Sequence, residues 1–293
     1  MRSPALAGLL LLAACAQIGD SPTTSTAVPV TTTITTTTTA GEATTSVVTT
    51  LPPAGCLEDL DFVESGQVAR TDQPSSDASI LGLVSWDSDG GCERFRLDFE
   101  TNEGAPATTP PSAEIEFLDS GRILRIHLDL EQTVLTDQLV ETPLVDRLYV
   151  VRALDGGLFV DLHLAAPSQA RASVRNSPAG LTVELQMGVS PITGAPTISD
   201  RVVVIEPSPG ADTVSPVEIT GYARTFEATV LIIATSAGQT FAETTTQAAD
   251  WTETWGEFRT SVDVPPGAIS LFVGEESPDD GAVMGAVIEI TAQ

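Results

Sequence analysis

The chain contains no lysine, so its 13 basic residues are all arginine, set against 40 Asp and Glu for a formal charge of −27. Acidic residues outnumber arginines in each half taken alone. Such a field repels phosphate backbones and anionic headgroups, whose binding needs clustered Lys or Arg, and nucleic acid is excluded as a partner. Acidity of this kind suits solubility in an exterior, salty setting; a cationic ligand is the sharper alternative. Only two histidines are present, His127 and His163. Alternation sets His127 beside Arg125 and Asp129, and His163 beside Asp161, which reads as solvated strand faces rather than a base or a metal ligand. No G-x-S-x-G, H-E-x-x-H or P-loop occurs. The chain is therefore expected to be no enzyme and to carry no cofactor. Apolar runs are short as well: the longest, near the start, falls well below the roughly 20 residues that span a bilayer.

Cysteine is equally scarce, with three in all. The first closes that apolar run. Arg2 is followed by an apolar stretch from Ala5 to Ala14, and Leu12-Ala13-Ala14-Cys15 then places small residues ahead of a cysteine. This resembles the lipobox of bacterial lipoproteins. The resemblance implies that residues 1–14 are a removed signal peptide, that Cys15 becomes an acylated N-terminus, and that the protein sits at the outer face of the cytoplasmic membrane as a lipid-anchored, extracellular chain. Cys56 and Cys92 then remain as a pair in an oxidising compartment, which predicts a disulfide. Closing a loop of about 37 residues contributes on the order of 3 to 4 kcal/mol in the chain-entropy model. With no histidine near them, a zinc site is not expected.

Residues 15–53 read as a tether. Threonine dominates, including the run Thr35 to Thr39, with Pro at 22, 29, 52 and 53 and almost no charge. Nothing there repays backbone ordering by burial, so disorder is expected, with a coil reach of roughly 30 to 35 Å. From Leu57 the pattern switches to period two. Ile80 to Trp86, Arg94 to Phe99, Ile123 to Leu130, Val145 to Val151, Gly157 to Leu164 and Leu181 to Leu185 read as strands, with Phe95, Leu97 and Phe99 on one face and Arg94, Arg96 and Asp98 on the other. Residues 54–187 are thus a first β domain and 188–199 a linker rich in Pro and Gly. Residues 200–293 hold about seven short strands with turn signals between them, the spacing of an immunoglobulin-like sandwich. Trp255 and Phe258 are its candidate core aromatics. The fold expected is all-β, with two β-sandwich-like domains after a Thr-rich tether.

Candidate binding residues are few. Trp86 stands beside the acidic turn Asp87-Ser88-Asp89-Gly90, so Trp86, Asp87 and Asp89 form one possible patch. Turn chemistry accounts for this step and for Asp279-Asp280-Gly281, since neither continues to the Glu of an EF-hand. The tryptophans at 86, 251 and 255 are read either as core packing or as platforms for sugar rings.

Two further resemblances rest on ordered motifs. Val203 to Glu206 with Pro207-Ser208-Pro209-Gly210, Ser215-Pro216-Val217-Glu218-Ile219-Thr220-Gly221, Ala223-Arg224-Thr225-Phe226-Glu227-Ala228, Trp255-Gly256-Glu257-Phe258 and Glu276-Ser277-Pro278-Asp279-Asp280-Gly281 resemble the immunoglobulin-like domain of bacterial spore germination proteins. The resemblance implies an extracytoplasmic binding or assembly module without catalytic machinery. Within it, Gly221 is expected to end a strand sharply and Arg224 to pair with Glu227 across a turn. Gly91-Cys92-Glu93-Arg94-Phe95-Arg96-Leu97-Asp98-Phe99, Gly104-Ala105-Pro106-Ala107, Val145-Asp146-Arg147-Leu148-Tyr149-Val150-Val151-Arg152 and Phe159-Val160-Asp161-Leu162-His163-Leu164 are similar to the AMIN-like domains of actinobacterial envelope proteins, which implies targeting to peptidoglycan or another envelope component. The expected function is a non-enzymatic envelope protein that binds wall glycan or an envelope protein. The alternatives are a structural module for protein contacts and a targeting accessory of a separate wall hydrolase.

Overall fold

The computed structural model describes Cys56, residues 61–89, 91–277 and 281–293. The signal peptide, Cys15, the tether, Gly90 and the Asp279-Asp280 step lie outside the described residues. The described chain is all-β. In the first half the strands are β1 (Gln67–Thr71), β2 (Ile80–Asp89), β3 (Cys92–Glu100), β4 (Ala113–Phe117), β5 (Ile123–Leu128), β6 (Gln132–Thr133), β7 (Asp137–Leu139), β8 (Val145–Arg152), β9 (Leu158–Leu164), β10 (Ser168–Arg175) and β11 (Gly180–Met187). In the second they are β12 (Thr197–Ile198), β13 (Val202–Glu206), β14 (Asp212–Thr213), β15 (Val217–Ala223), β16 (Thr229–Ser236), β17 (Gln239–Gln247), β18 (Trp255–Val262), β19 (Gly267–Glu276) and β20 (Val283–Ala292), with one 3-10 turn at Phe226–Ala228.

Alternation decides the layers. In β3 the odd residues Phe95, Leu97 and Phe99 point inward, where they meet Ile115, Leu124, Ile126, Val160 and Leu162 in one core. Two sheets enclose that core: β10-β11-β3-β2-β6 on one side and β1-β4-β5-β9-β8 on the other. The second half repeats the plan. Val217, Ile219 and Phe258 on one sheet meet Val230, Ile232, Leu271, Val273 and Ile288 on the sheet β14-β20-β19-β16-β17. A buried Leu or Ile cut back to Ala in either core costs about 2 to 5 kcal/mol.

Both sandwiches share their middle sheet. β18 runs parallel to β8, with Trp255 opposite Val151 and Gly256 opposite Arg152. The ladder β1-β4-β5-β9-β8-β18-β15-β13-β12, with β7 on β8, is therefore one ten-stranded sheet serving both halves. Gly221 departs from expectation. It sits inside β15 rather than at a strand end, and the physical reason is close approach, since a Cβ there would collide with the Val203 carbonyl on β13.

The expected disulfide is present. Cys56 and Cys92 are joined, with their Cα atoms 5.8 Å apart. The bridge ties the segment before β1 to the start of β3, and Phe62 in that segment lies 4.2 Å from the Arg171 guanidinium.

A candidate binding groove at the seam of two sandwiches

Where the outer faces of the two half-sheets meet, aromatic residues fill the gap. Tyr149, Val151 and Phe159 from the first half pack against Val203, Tyr222 and Trp255 from the second. Tyr149 is central, with ring centroids at 4.9 Å from His163, 5.0 Å from Tyr222 and 5.1 Å from Trp255. Such pairs contribute about 0.5 to 1.5 kcal/mol each beyond the area they bury.

This packing corrects one expectation. Asp161 and His163 share a face as alternation requires, but the face is closed rather than solvated: Asp161 has no exposed surface and His163 keeps 6%. The second sandwich covers it. A buried carboxylate needs a partner. Asp161 has one in Arg125, whose Nε and Nη2 donate to its two oxygens at 2.8 and 2.7 Å, while the guanidinium stacks 3.8 Å from the Phe159 ring centroid. That carboxylate raises the Arg125 pKa against the opposing effect of burial. His163 Nε2 is hydrogen-bonded to the Tyr222 hydroxyl across the seam. Burial lowers the His163 pKa to about 4, with the Arg147 and Arg125 charges acting the same way and Asp161 opposing. Burial also raises both the Tyr222 and Tyr149 hydroxyl pKa values. The imidazole is thus neutral near pH 7 and hydrogen-bonded in the interior. It is a structural contact between halves. His127, by contrast, keeps 43% of its side chain exposed, with its Nε2 3.6 Å from Glu116.

Polar contacts extend the seam outward. Thr254 donates its hydroxyl to the Val150 carbonyl at 2.6 Å, the Leu154 N–H donates to Glu257 at 3.0 Å, and Arg152 reaches Glu253 at 3.2 Å and Asp250 at 3.7 Å. These contacts place the loop between β17 and β18. Gly256 lets that loop lie directly on β18, because a Cβ there would strike the Asp250 backbone.

That loop borders a groove of about 390 Å³ lined by Asp137, Asp200, Arg201, Arg224, Trp251 and Trp255. Trp255 is buried, and its indole N–H donates to Asp137 at 3.2 Å. Trp251 keeps 36% of its surface exposed, its ring in edge contact with Phe226 at 5.5 Å. Its backbone is fixed by Asp250, whose Oδ1 accepts the N–H groups of Trp251 at 2.6 Å, Thr252 at 2.8 Å and Glu253 at 3.3 Å. Those bonds lower the Asp250 pKa even though burial opposes them. Arg224 does not pair with Glu227 as expected. Its guanidinium reaches the Thr252 carbonyl at 3.5 Å, while Glu227 sits in a turn at a positive φ of 53°. Arg201 meets Glu275 at 3.3 Å.

The other candidate patch is disposed differently. Trp86 leans on Phe95, with centroids 6.3 Å apart, and packs against the first core. Asp87 is held by Arg94 at 3.7 Å and also by Arg96. Asp89 ends β2 at the surface, beside Gly90, which is outside the described residues. The structure does not gather Trp86, Asp87 and Asp89 into a cavity. Trp251 and Trp255 stand out in the sequence as aromatics, whereas Asp137, Asp200 and Arg201 carry no local signal, because only the tertiary fold brings β7 and the β12–β13 turn beside them.

The second half matches a family. Residues 201–282 match the model of the immunoglobulin-like domain of bacterial spore germination. That domain type is non-catalytic. No curated protein and no solved structure matches the chain.

Proposed function

We propose that this chain is a non-enzymatic, lipid-anchored envelope protein that holds wall glycan in the seam groove. The observation that carries the reading is the braced, exposed Trp251 beside Arg224 and Asp200. A flat aromatic ring accepts the apolar face of a sugar. Flanking guanidinium and carboxylate groups offer forked donors and acceptors to neighbouring hydroxyls. Both halves contribute to the lining, so neither sandwich alone would present the site. The similarity of the first half to AMIN-like domains agrees with an envelope ligand and rests on its own motifs. The anchor rests on the Leu12-Ala13-Ala14-Cys15 sequence.

Retention of the mature ectodomain on purified peptidoglycan at moderate salt tests the ligand. Wild type is expected to be retained, and Trp251→Ala to weaken retention about tenfold or more, the loss typical of an aromatic anchor. No retention of wild type, or equal retention of the variant, overturns the glycan reading and favours a module for protein contacts or a targeting accessory of a separate hydrolase. For the anchor, Cys15→Ser should release the protein to the medium or leave it unprocessed. Unchanged partitioning into detergent would defeat it.

A further inference from the structure

The outward face of the second sandwich has a composition that its own core does not require. In β16, β19 and β20 the inward residues Val230, Ile232, Leu271, Val273, Ile288 and Ile290 already supply the apolar packing. Several of the outward residues are nevertheless apolar. Ile233 lies opposite Phe272, and Phe272 opposite Val287, so three apolar side chains run across three strands. Leu231 on β16 and Val283 on β20 extend the patch toward one end of the sheet, on the side of the Gly274–Gly285 pair. Val287 keeps 58% of its surface exposed and Val283 52%, while Leu231, Ile233 and Phe272 are half-buried. Gly274 and Gly285 face each other beside this row, and a Cβ on Gly274 would meet the Phe272 ring at 2.7 Å. The phenyl ring therefore lies over the glycine and flattens the patch. An antiparallel sheet facing water normally alternates apolar-in with polar-out, and contiguous exposed apolar surface marks contact sites.

Charge narrows the occupant. Three carboxylates border the patch on the same face: Glu243 opposite Ile233, Glu276 opposite Val283, and Glu289 opposite Ser270. None of the strands β16, β17, β19 and β20 carries an arginine or histidine. A second copy of this chain would bring the same three carboxylates to a self-complementary interface, and like charges brought together there are costly. The chain has no lysine to offset them, and arginines such as Arg94, Arg125 and Arg152 are engaged internally. We propose that this face docks a different protein, one presenting an apolar strand face bordered by Lys or Arg. The proposal rests on residues other than those that carry the glycan reading and stands without it.

The test uses the full mature ectodomain and two synthetic probes, a peptide of alternating Leu and Lys and one of alternating Leu and Glu. Fluorescence anisotropy should show binding of the Leu–Lys peptide that weakens as salt rises, and none of the Leu–Glu peptide. Phe272→Ser should lower the affinity about tenfold. Glu243→Gln and Glu289→Gln should each lower it about threefold, as for a rim charge. Should Phe272→Ser fail to fold, Val287→Thr, which keeps a β-branched residue at an exposed position, carries the same test. Binding that survives these substitutions would reflect the overall charge alone and would overturn the proposal. A dimer in sedimentation equilibrium that Phe272→Ser or Val287→Thr dissociates would overturn it too, by assigning the face to a second copy.

Discussion

The two outermost sheets occupy equivalent places in the two sandwiches, yet their outward faces are built from opposite chemistry. On β3, β10 and β11 the outward face is ionic. Glu184 has no exposed surface and receives Arg94 at 2.7 Å and Arg171 at 2.8 Å. Asp98 meets Arg175 at 3.1 Å, Asp87 meets Arg94 and Arg96, and Phe62 caps Arg171. That face is saturated by its own chain and by the segment that the disulfide secures. On β16, β19 and β20 the outward face carries apolar residues and carboxylates for which no ion pair occurs among the described residues. Net charge is therefore a poor guide to surface chemistry in this chain. Two faces of one acidic protein are, respectively, electrostatically closed and open.

Four measurements bear on this contrast. The largest effect is expected from Glu184→Gln, which removes the carboxylate shared by two guanidinium groups while keeping the shape. Breaking a buried ion pair costs about 3 to 5 kcal/mol, read as a lower urea midpoint. A change below 1 kcal/mol would mean that the ionic face is not a buried network in solution. Next comes the Cys56–Cys92 bridge, which spans a sequence separation of 36. Replacing both cysteines by Ser should cost about 3 to 4 kcal/mol in the chain-entropy model and leave the second sandwich's core unaffected. Free thiols at both positions in non-reducing mass spectrometry would contradict the bridge.

The seam between the halves supplies the third. His163 is neutral in the fold with its pKa lowered to about 4, and it ordinarily titrates near 6.5 when unfolded. Between those values the unfolded chain binds the extra proton. Stability from this group is therefore complete above about pH 6.5 and falls as the pH drops toward 4, by about 3 kcal/mol in total. The neighbours setting this behaviour are Asp161, Arg125 and Arg147 from the first half and Tyr222 from the second. A His163→Gln variant should show a flatter pH dependence of its urea midpoint in that window, and an unchanged slope would refute the assignment. The smallest effect belongs to the open face. Val287→Thr should shift stability by less than about 0.5 kcal/mol, because half-exposed outward residues add little to folding. A shift several times larger would show that this face is packed in the free protein.

The alternating segments Ile80–Trp86, Arg94–Phe99, Val145–Val151 and the seven runs of the second half are strands in the structure, because period-two burial is written locally. Less legible were β1, β4 and β10. β10 reads Ser-Gln-Ala-Arg-Ala-Ser-Val-Arg, where small Ala residues point inward and give little hydropathy contrast. The seam was illegible for a different reason. Asp161 and His163 look solvated because alternation specifies which residues share a face and says nothing about what covers that face. The groove suffers from the same gap, as its lining comes from residues more than 100 positions apart.

By itself, the sequence determined the all-β class, the two alternating cores, the immunoglobulin-like second half and the pairing of Cys56 with Cys92. Each of these follows from local periodicity or from an arithmetic of few candidates. Only the tertiary structure decided that one sheet passes through both halves, that Asp161 and His163 are interior, and that Trp251 borders a groove. These depend on β8 meeting β18, a parallel contact of two residue pairs that long-range packing selects and that no short stretch of chain encodes.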